Sequence, residues 1–106
     1  MITFDDFKKL EIRIGKVLSA EKVKGTDKLM KLEVDLGTEK RQLVAGIAEF
    51  FKPDYLIGKE LPVLMNLEAR TFKGIESQGM ILAIDVSGEP ILLHPEKEVP
   101  PGSIVK

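Results

Sequence analysis

The sequence predicts an all-β barrel of five main strands, because three observations agree. Apolar and polar residues alternate from Met30 to Leu36, which is the period of a half-buried antiparallel strand. Short apolar runs bounded by turn residues recur along the rest of the chain, and no strand–helix–strand rhythm interrupts them. At 106 residues the length is that of a single domain, which we expect to span residues 1–106.

A short helix is predicted at the start of the chain. Thr3 occupies an N-cap position, and Asp6 follows three residues later, as in a capping box. Asp5 and Asp6 would also lie near the positive end of the helix dipole. Phe4 and Phe7 would then share a face that could plug an open end of the barrel.

The first strand is predicted to bend. Ile12 and Ile14 alternate with Arg13, but Val17 breaks the alternation just after Gly15. A glycine at such a break indicates a bulge, which a strand shared between the two halves of a small barrel requires.

The remaining elements follow from turn residues. Residues 37–40 form a turn that joins the alternating strand to a partner, so that the two make a hairpin. Pro53 suits the first turn of a short helical segment that ends at Gly58, between the third and fourth strands. The predicted strands after the turn are Arg41 to Ile47, Leu61 to Leu67, Met80 to Val86 and Ile91 to Leu93. Pro62 would place the start of its strand at an edge or bulge, and Met80 to Val86 is apolar almost throughout, so both its faces should be covered.

Five main strands with one helical segment between the third and fourth favour a particular barrel. The pattern matches a Greek-key barrel of the oligonucleotide/oligosaccharide-binding (OB) class. On pattern alone, an SH3-like barrel remains an alternative.

Composition argues against an enzyme, a metal site or a membrane protein. The chain has no cysteine, and therefore no disulfide, thiol nucleophile or thiolate ligand. No apolar run approaches the roughly 18 residues of a membrane helix, and no basic and apolar leader opens the chain, so we expect a cytoplasmic location. Common nucleotide-binding and hydrolase motifs are missing, and the only histidine, His94, has no serine or acidic partner nearby in sequence. No cofactor is expected.

The charge distribution is uneven. A formal net charge of -1 is low for a nucleic-acid binder, many of which are strongly basic. However, residues 8–31 hold eight cations and three anions, whereas residues 85–98 hold four carboxylates and one lysine. This asymmetry predicts a positive face that docks a structured RNA selectively.

The link from Asn66 to Met80 carries the functional signal. It reads NLEARTFKGIESQGM and contains Arg70 and Lys73, followed by Ser77 and Gln78. The cations could neutralise phosphates, and the hydroxyl and amide could reach a sugar or a base edge. A solvated loop with ordinary surface charges is the alternative reading.

Lys28 and Asn66 complete the candidate site. Both cations can face one ligand only if the segment twists or loops, which Gly74 would help. Lys28 lies in the turn before the second strand and is the next candidate phosphate contact, while Asn66 bonds either its own turn or a nucleotide. Only one aromatic residue, Phe72, lies in the cationic stretch, so we expect recognition of RNA shape and backbone more than threading of a single strand.

Together these segments resemble the tRNA-binding domain appended to methionyl-tRNA synthetases, which also occurs as a free-standing tRNA-binding protein. The resemblance covers nearly the whole chain, in order and with similar gaps. It is carried by FDDFKKLEIRIGKV at 4–17, TDKLMKLEVDLG at 26–37, RQLVAGIAEFFKPDYLIGK at 41–59, NLEARTFKGIESQGMILA at 66–83 and VPPGS at 99–103.

The resemblance implies an OB-fold module that binds tRNA by its L-shape and performs no chemistry. Such a module serves a methionyl-tRNA synthetase, either as its C-terminal domain or as a separate subunit, and the free-standing members are homodimers. The residues that fall on the family pattern are Lys28, Asn66, Arg70, Lys73, Ser77 and Met80. Thr71 stands where a second basic residue is common, and Ala69 where proline is common, so phosphate contact should be weaker.

Two other functions remain open. A bacterial secretion chaperone of the same fold binds peptides as a dimer, and Met80 to Val86 could then form a partner face. A groove lined by apolar residues would favour peptides, whereas one lined by Lys28, Arg70 and Lys73 would favour RNA. A small hydrolase would need His94 beside a nucleophile.

Overall fold

The computed structural model describes residues 1–106 and confirms the all-β class. Ten strands and two single-turn helices make up the fold. In chain order they are α1 (Phe4–Phe7), β1 (Ile12–Lys22), β2 (Met30–Asp35), β3 (Lys40–Ala45), α2 (Pro53–Leu56), β4 (Glu60–Leu64), β5 (Arg70–Phe72), β6 (Ile75–Ser77), β7 (Met80–Ile81), β8 (Ala83–Val86), β9 (Glu89–Leu92) and β10 (Ile104–Val105). Neither helix has the length needed to cross a bilayer.

The barrel is built on the long strand β1. Its first half pairs with β4 and its second half with β2, both antiparallel, which gives the order β3-β2-β1-β4-β7. A meander would place β3 beside β4, so this order is the crossover of a Greek key. The OB prediction is therefore confirmed over the SH3-like alternative.

The bend in β1 lies further along the chain than the sequence suggested. The register with β2 shifts between Val17 and Ser19, whereas Gly15 sits in regular pairing opposite Leu61. A Cβ on Gly15 would lie 3.2 Å from side-chain atoms of both Val34 and Val63. The glycine therefore permits close packing, and the bulge falls where β1 leaves β4 for β2.

The core lies between the inward faces of β1, β2, β3 and β4. Met30, Leu32 and Val34 are fully buried on β2, while the alternate residues of this strand point outward, as predicted. The core residues are Val17, Met30, Leu32, Val34, Leu36, Leu43, Ile47, Ala48, Leu56, Leu61, Val63 and Met65. Helix α2 begins at Pro53 and contributes the buried Leu56, so the predicted helical segment is also confirmed.

Pro62 lies inside a central strand, not at an edge. It is the third residue of β4, which pairs with both β1 and β7. The N–H and C=O groups of Ile14, its partner on β1, bond to Ser103 and Gly102 instead. Because Ile14 makes its bonds on its other side, the missing N–H of Pro62 leaves no gap in the β1–β4 ladder.

Helix α1 forms with the predicted capping box. The Oγ1 of Thr3 accepts a bond from the backbone N–H of Asp6, and the carboxylate of Asp6 accepts one from the backbone N–H of Thr3. The Thr3 bond, followed by one from Lys9, holds the pKa of Asp6 below its usual value. However, Phe4 is 72% exposed and no residue of α1 is buried, so the prediction that this face plugs the barrel is wrong.

The apolar run Met80 to Val86 is not a covered strand. It divides into β7 and β8, and most of its side chains are exposed, including Ile84 at 46%. Strand β8 pairs only with β9, and this register puts Ile84 opposite Ile91 on one face. Val86 and Leu93 fall on the same face by alternation, so the β8–β9 hairpin presents an uncovered apolar surface.

Candidate nucleic-acid interface

The segment that links β4 to β7 forms a hairpin that projects from the barrel. Strand β5 pairs with β6, with Arg70 opposite Ser77 and Phe72 opposite Ile75. Lys73 and Gly74 connect them with φ values of 51° and 80°. Positive φ at both central residues is the type I′ turn that matches the twist of paired strands. The loop expected around Gly74 is thus present, and it places Lys73 at the tip.

Arg70 and Lys73 are available to a ligand. Both are exposed, and neither takes part in any of the five ion pairs of the chain. The Arg70 guanidinium lies 4.9 Å from the centre of the Phe72 ring, within the range of a cation–π contact. Since the guanidinium is held by a ring and not by a carboxylate, its charge is not neutralised.

Ser77 is placed inside the structure. Only 4% of it is exposed, and its Oγ accepts a bond of 2.9 Å from the backbone N–H of Val44. The same hydroxyl donates to the carbonyl oxygen of Gly79 at 2.9 Å. The Ser77 hydroxyl therefore joins β6 to β3, and its one donor is committed to Gly79.

Gln78 makes a second join between the same segments. Its backbone N–H donates to the carbonyl oxygen of Gln42 at 2.9 Å, and its Oε1 accepts from the N–H of Gln42 at 3.1 Å. In return, the Nε2 of Gln42 donates to the carbonyl oxygen of Glu76 at 2.8 Å. β3 pairs with β2 on one edge but has no regular strand partner on the other edge. These bonds close the barrel along that second edge, between β3 and residues 76–79.

Asn66 anchors the beginning of the link. Its Oδ1 accepts from the backbone N–H of Glu11 at 2.8 Å, and its Nδ2 donates to the carbonyl oxygen of Lys9 at 2.6 Å. The side chain thus does not bond its own turn. It ties the start of the link to the segment before β1, which fixes the position at which the link leaves the barrel.

Lys28 lies on the other side of the end of β3. Its carbonyl oxygen accepts from the N–H of Ala48 at 2.9 Å, and its side chain is exposed without an ion-pair partner. The hairpin is joined to β3 four residues earlier, at Val44. In OB barrels, ligands contact the second and third strands, the loop between strands 1 and 2, and the loop between strands 4 and 5. Lys28 lies in the first of these loops, and the β5–β6 hairpin corresponds to the second.

The positive region is smaller than the sequence suggested. Four of the eight cations in residues 8–31 are paired: Lys9 with Asp6, Arg13 with Glu11, Lys16 with Glu98 and Lys31 with Glu21. The bond from Lys31, and the charges of Lys31 and Lys24, lower the pKa of Glu21. Lys8, Lys22, Lys24 and Lys28 stay unpaired, so three of the four free charges of this stretch lie around the β1–β2 loop.

Sequence reasoning missed Arg41. Its Nη1 donates to the carbonyl oxygen of Met65 at 2.6 Å and to that of Gln78 at 3.1 Å, while its Nε pairs with Glu39. A signal was present in the alternation of β3, because Arg41 lies opposite the buried Val34 and so on the inward face. A cation at an inward position has to find acceptors nearby.

Two other features lie away from this region. The Nδ1 of His94 is 2.9 Å from the carbonyl oxygen of Glu60, so the ring is engaged with backbone and not with a nucleophile. A groove of about 550 Å³ lies beside it, lined largely by apolar side chains of β1, the segment after β9 and the C-terminal residues. It includes Ile12, Ile14, Leu82, Leu93, Val99 and Val105.

Comparison with known proteins decides the family. The model described as "Putative tRNA binding domain" matches residues 12–104. The chain belongs to this family. Within it, the chain is 54% identical over 102 residues to the methionine–tRNA ligase of Methanothrix thermoacetophila and 56% identical over 104 residues to that of Archaeoglobus fulgidus. These matches cover 96% and 98% of the chain, but only 15% and 16% of the two ligases.

Solved structures show the same family fold. A methionyl-tRNA-synthetase-related protein (MetRS) from Pyrococcus horikoshii superimposes with a TM-score of 0.95 at 40% identity, over 100% of this chain and 98% of that one. The chaperone CsaA from Bacillus anthracis gives a TM-score of 0.91 at 31% identity, over 100% and 99% of the two chains. The solved structures that resemble this chain thus include a synthetase-related protein and a chaperone.

The role of Ser77 in closing the barrel can be tested by Ser77→Ala. The substitution leaves the buried N–H of Val44 without its acceptor, so we expect the free energy of unfolding in urea to fall by about 1–3 kcal/mol. Ser19→Ala is the matched control, because Ser19 is an exposed strand residue without a side-chain hydrogen bond; its effect should stay within about 0.5 kcal/mol. Equal losses in the two variants would contradict the closing role.

Proposed function

We propose that this domain binds tRNA by recognising the phosphate backbone and the shape of the RNA. It would perform no catalysis and would support aminoacylation by a methionyl-tRNA synthetase in the cytoplasm. The proposal rests on one observation above others: Arg70 and Lys73 project on an exposed hairpin, and neither forms an ion pair with a carboxylate. The family and the ligase relatives support tRNA as the RNA that is bound.

The proposed site divides into contacting and shaping residues. Arg70, Lys73 and Lys28 are the proposed phosphate contacts, because their side chains are exposed and unpaired. Asn66, Ser77 and Gln78 were also predicted as RNA contacts; we now propose that they act mainly by holding the hairpin and the link that carries it. An exposed part of Gln78 can still approach the RNA at the base of the hairpin.

Recognition by shape fits the surface better than recognition of single-stranded bases. Single-strand binders need aromatic platforms on which bases stack. The one aromatic ring of the hairpin, Phe72, is partly buried and already contacts Arg70. The β1–β2 loop, with Lys28, and the β5–β6 hairpin, with Arg70 and Lys73, instead provide two separate cationic contacts. A rigid, folded RNA can reach both at once.

The benefit to a synthetase would be a raised local concentration of tRNA. A second binding module joined to a catalytic body makes the second contact intramolecular, which raises overall affinity without new chemistry. The chain spans about one-sixth of the length of its curated ligase relatives, so the catalytic body would lie outside these residues. With few free cations, the affinity of the module alone should be in the roughly micromolar range of sequence-independent binding.

The double variant Arg70→Ala/Lys73→Ala tests the site. We expect weaker binding to every tRNA alike, measured by anisotropy with unfractionated tRNA, and a salt slope lower by about 1 for each lost phosphate contact. The matched control is Lys59→Ala/Lys97→Ala, which removes the same charge from a surface shared with Glu96 and Glu98. It should bind almost normally. Binding by the double variant that equals the parent would remove the proposed site, and salt-independent binding by the parent would contradict the function.

We also propose that the domain forms a homodimer through the apolar face of the β8–β9 hairpin. A two-stranded hairpin is marginal in water unless something packs on it. Ile84, at 46% exposed, and Ile91, at 40%, face each other across this hairpin. Apolar side chains of α1, of the segment after it and of β10 add a second exposed groove, formed by Phe4, Phe7, Leu10, Ile104 and Val105 among others. Contiguous surfaces of this kind mark sites of association.

Ile84→Lys should convert the dimer to a monomer, because it places a charge in the proposed interface. Ala83→Lys adds the same side chain one residue away, on the opposite face of the hairpin, and should remain a dimer. Light scattering after size exclusion gives the mass of each species. A parent chain that is monomeric at high concentration, or two variants with the same mass, would exclude this interface.

Peptide binding is the second candidate function, favoured by the CsaA relatives and by the apolar groove beside His94. This groove would hold an extended apolar peptide. The corresponding prediction is that a labelled, unfolded apolar peptide binds and that Val99→Lys, in the groove but away from the β8–β9 hairpin, weakens its binding. The Arg70→Ala/Lys73→Ala variant should bind that peptide normally. Failure of the parent to bind such peptides at any concentration would reject this candidate.

A further inference from the structure

We infer that Arg41 is the positioning residue for the RNA-binding hairpin; the inference rests on the tRNA-binding function proposed above. Residues 65–79 leave the barrel after β4 and return to it at β7, and they carry the hairpin between them. One nitrogen, Nη1 of Arg41, donates to the carbonyl oxygen of Met65 and to that of Gln78. These carbonyls stand at the two ends of the link, next to the short β4–β7 pairing of Leu64 with Met80, so one side chain bonds to both ends.

The guanidinium is well suited to this task. Its Nη1 carries two N–H groups, and each has one of the two carbonyl oxygens as acceptor. The Nε is paired with the carboxylate of Glu39, which fixes the plane of the group. The side chain is only 28% exposed, so water competes little for these bonds. A lysine could not hold three acceptors in this fixed geometry.

The hairpin depends on such anchors because little else holds it. Strand β5, which carries Arg70, has β6 as its only strand partner. β6 reaches the barrel through bonds from Gln42 and Val44, the next residues of β3. Arg41 completes this series and is the member that reaches the start of the link. Without it, the end at Met65 keeps its backbone bond to Glu11, and the two ends of the link stay joined only by the short pairing of β4 with β7, in which Leu64 lies opposite Met80.

Arg41 acts through the hairpin and does not itself contact RNA. Three of its N–H groups are committed, and Glu39 neutralises its charge. Loss of Arg41 should therefore change the fraction of molecules in which the hairpin is in place. The number of phosphates contacted by a bound molecule should stay the same. This separates a positioning residue from a contact residue by measurement.

The experiment uses Arg41→Met in the 106-residue chain. In the absence of RNA, hydrogen exchange should be faster at the hairpin amides of residues 70–77, while core amides of β1 and β2 change only by the global loss of stability. A hairpin in place about one-fifth of the time would weaken tRNA binding about fivefold. The salt slope should equal that of the parent, unlike that of Arg70→Ala/Lys73→Ala. Adding Arg41→Met to that double variant should weaken binding no further.

Arg13→Met is the matched control. Arg13 also pairs with a glutamate two residues earlier, Glu11, and donates to a loop carbonyl, that of Gly102, at 2.8 Å. Its removal should speed exchange in the C-terminal segment around Gly102 and leave the hairpin amides and tRNA binding nearly unchanged.

Three results would overturn the inference: unchanged exchange at the hairpin in Arg41→Met, a salt slope reduced as if a phosphate contact were lost, or a loss of affinity that adds fully to that of the double variant. A parent chain that binds no tRNA would reject the proposed function instead. The exchange measurement would still stand as a test of positioning, because it is made without RNA.

Discussion

Side-chain hydrogen bonds and one backbone bond, not a regular strand ladder, close this barrel, and the site depends on that closure. The outer edge of β3 would otherwise expose the backbone groups of Gln42 and Val44. Buried backbone donors must find acceptors, and open edges invite aggregation. Here Ser77 and Gln78 provide the partners. The bonds that complete the barrel are therefore the same bonds that fix the base of the cationic hairpin.

This arrangement explains why polar residues cluster in a segment that looks like a ligand-binding loop. The hydrogen bonds of Ser77, Gln78 and Asn66 join segments that are distant in sequence. The exposed cations lie on the hairpin that these bonds hold. Carboxylates neutralise several cations on β1 and β2, whereas Arg70, Lys73 and Lys28 escape pairing. A domain with a net charge of -1 can in this way keep positive charge where a polyanion would approach.

Local patterns in the sequence predicted the elements whose cause is local. The alternation of β2, the capping box of α1 and the turn at Gly74 each depend on neighbours within a few residues. The bonds from Val44 to Ser77 and from Glu11 to Asn66 join residues 33 and 55 positions apart, and no spacing rule indicates them. The run Met80 to Val86 shows another limit. Its apolar composition predicts that another apolar surface packs against it, but does not indicate whether that surface belongs to the same chain.

The left-handed conformation of Lys73 has a consequence for anyone who engineers this domain. A residue with a Cβ pays roughly 1–2 kcal/mol to adopt it, and asparagine followed by glycine is the pair that such two-residue turns prefer. A thermostabilisation campaign would thus select Lys73→Asn as an improvement. The product would melt at a higher temperature and carry one fewer positive charge at the tip of the hairpin, and screening by heat resistance alone would not register that change.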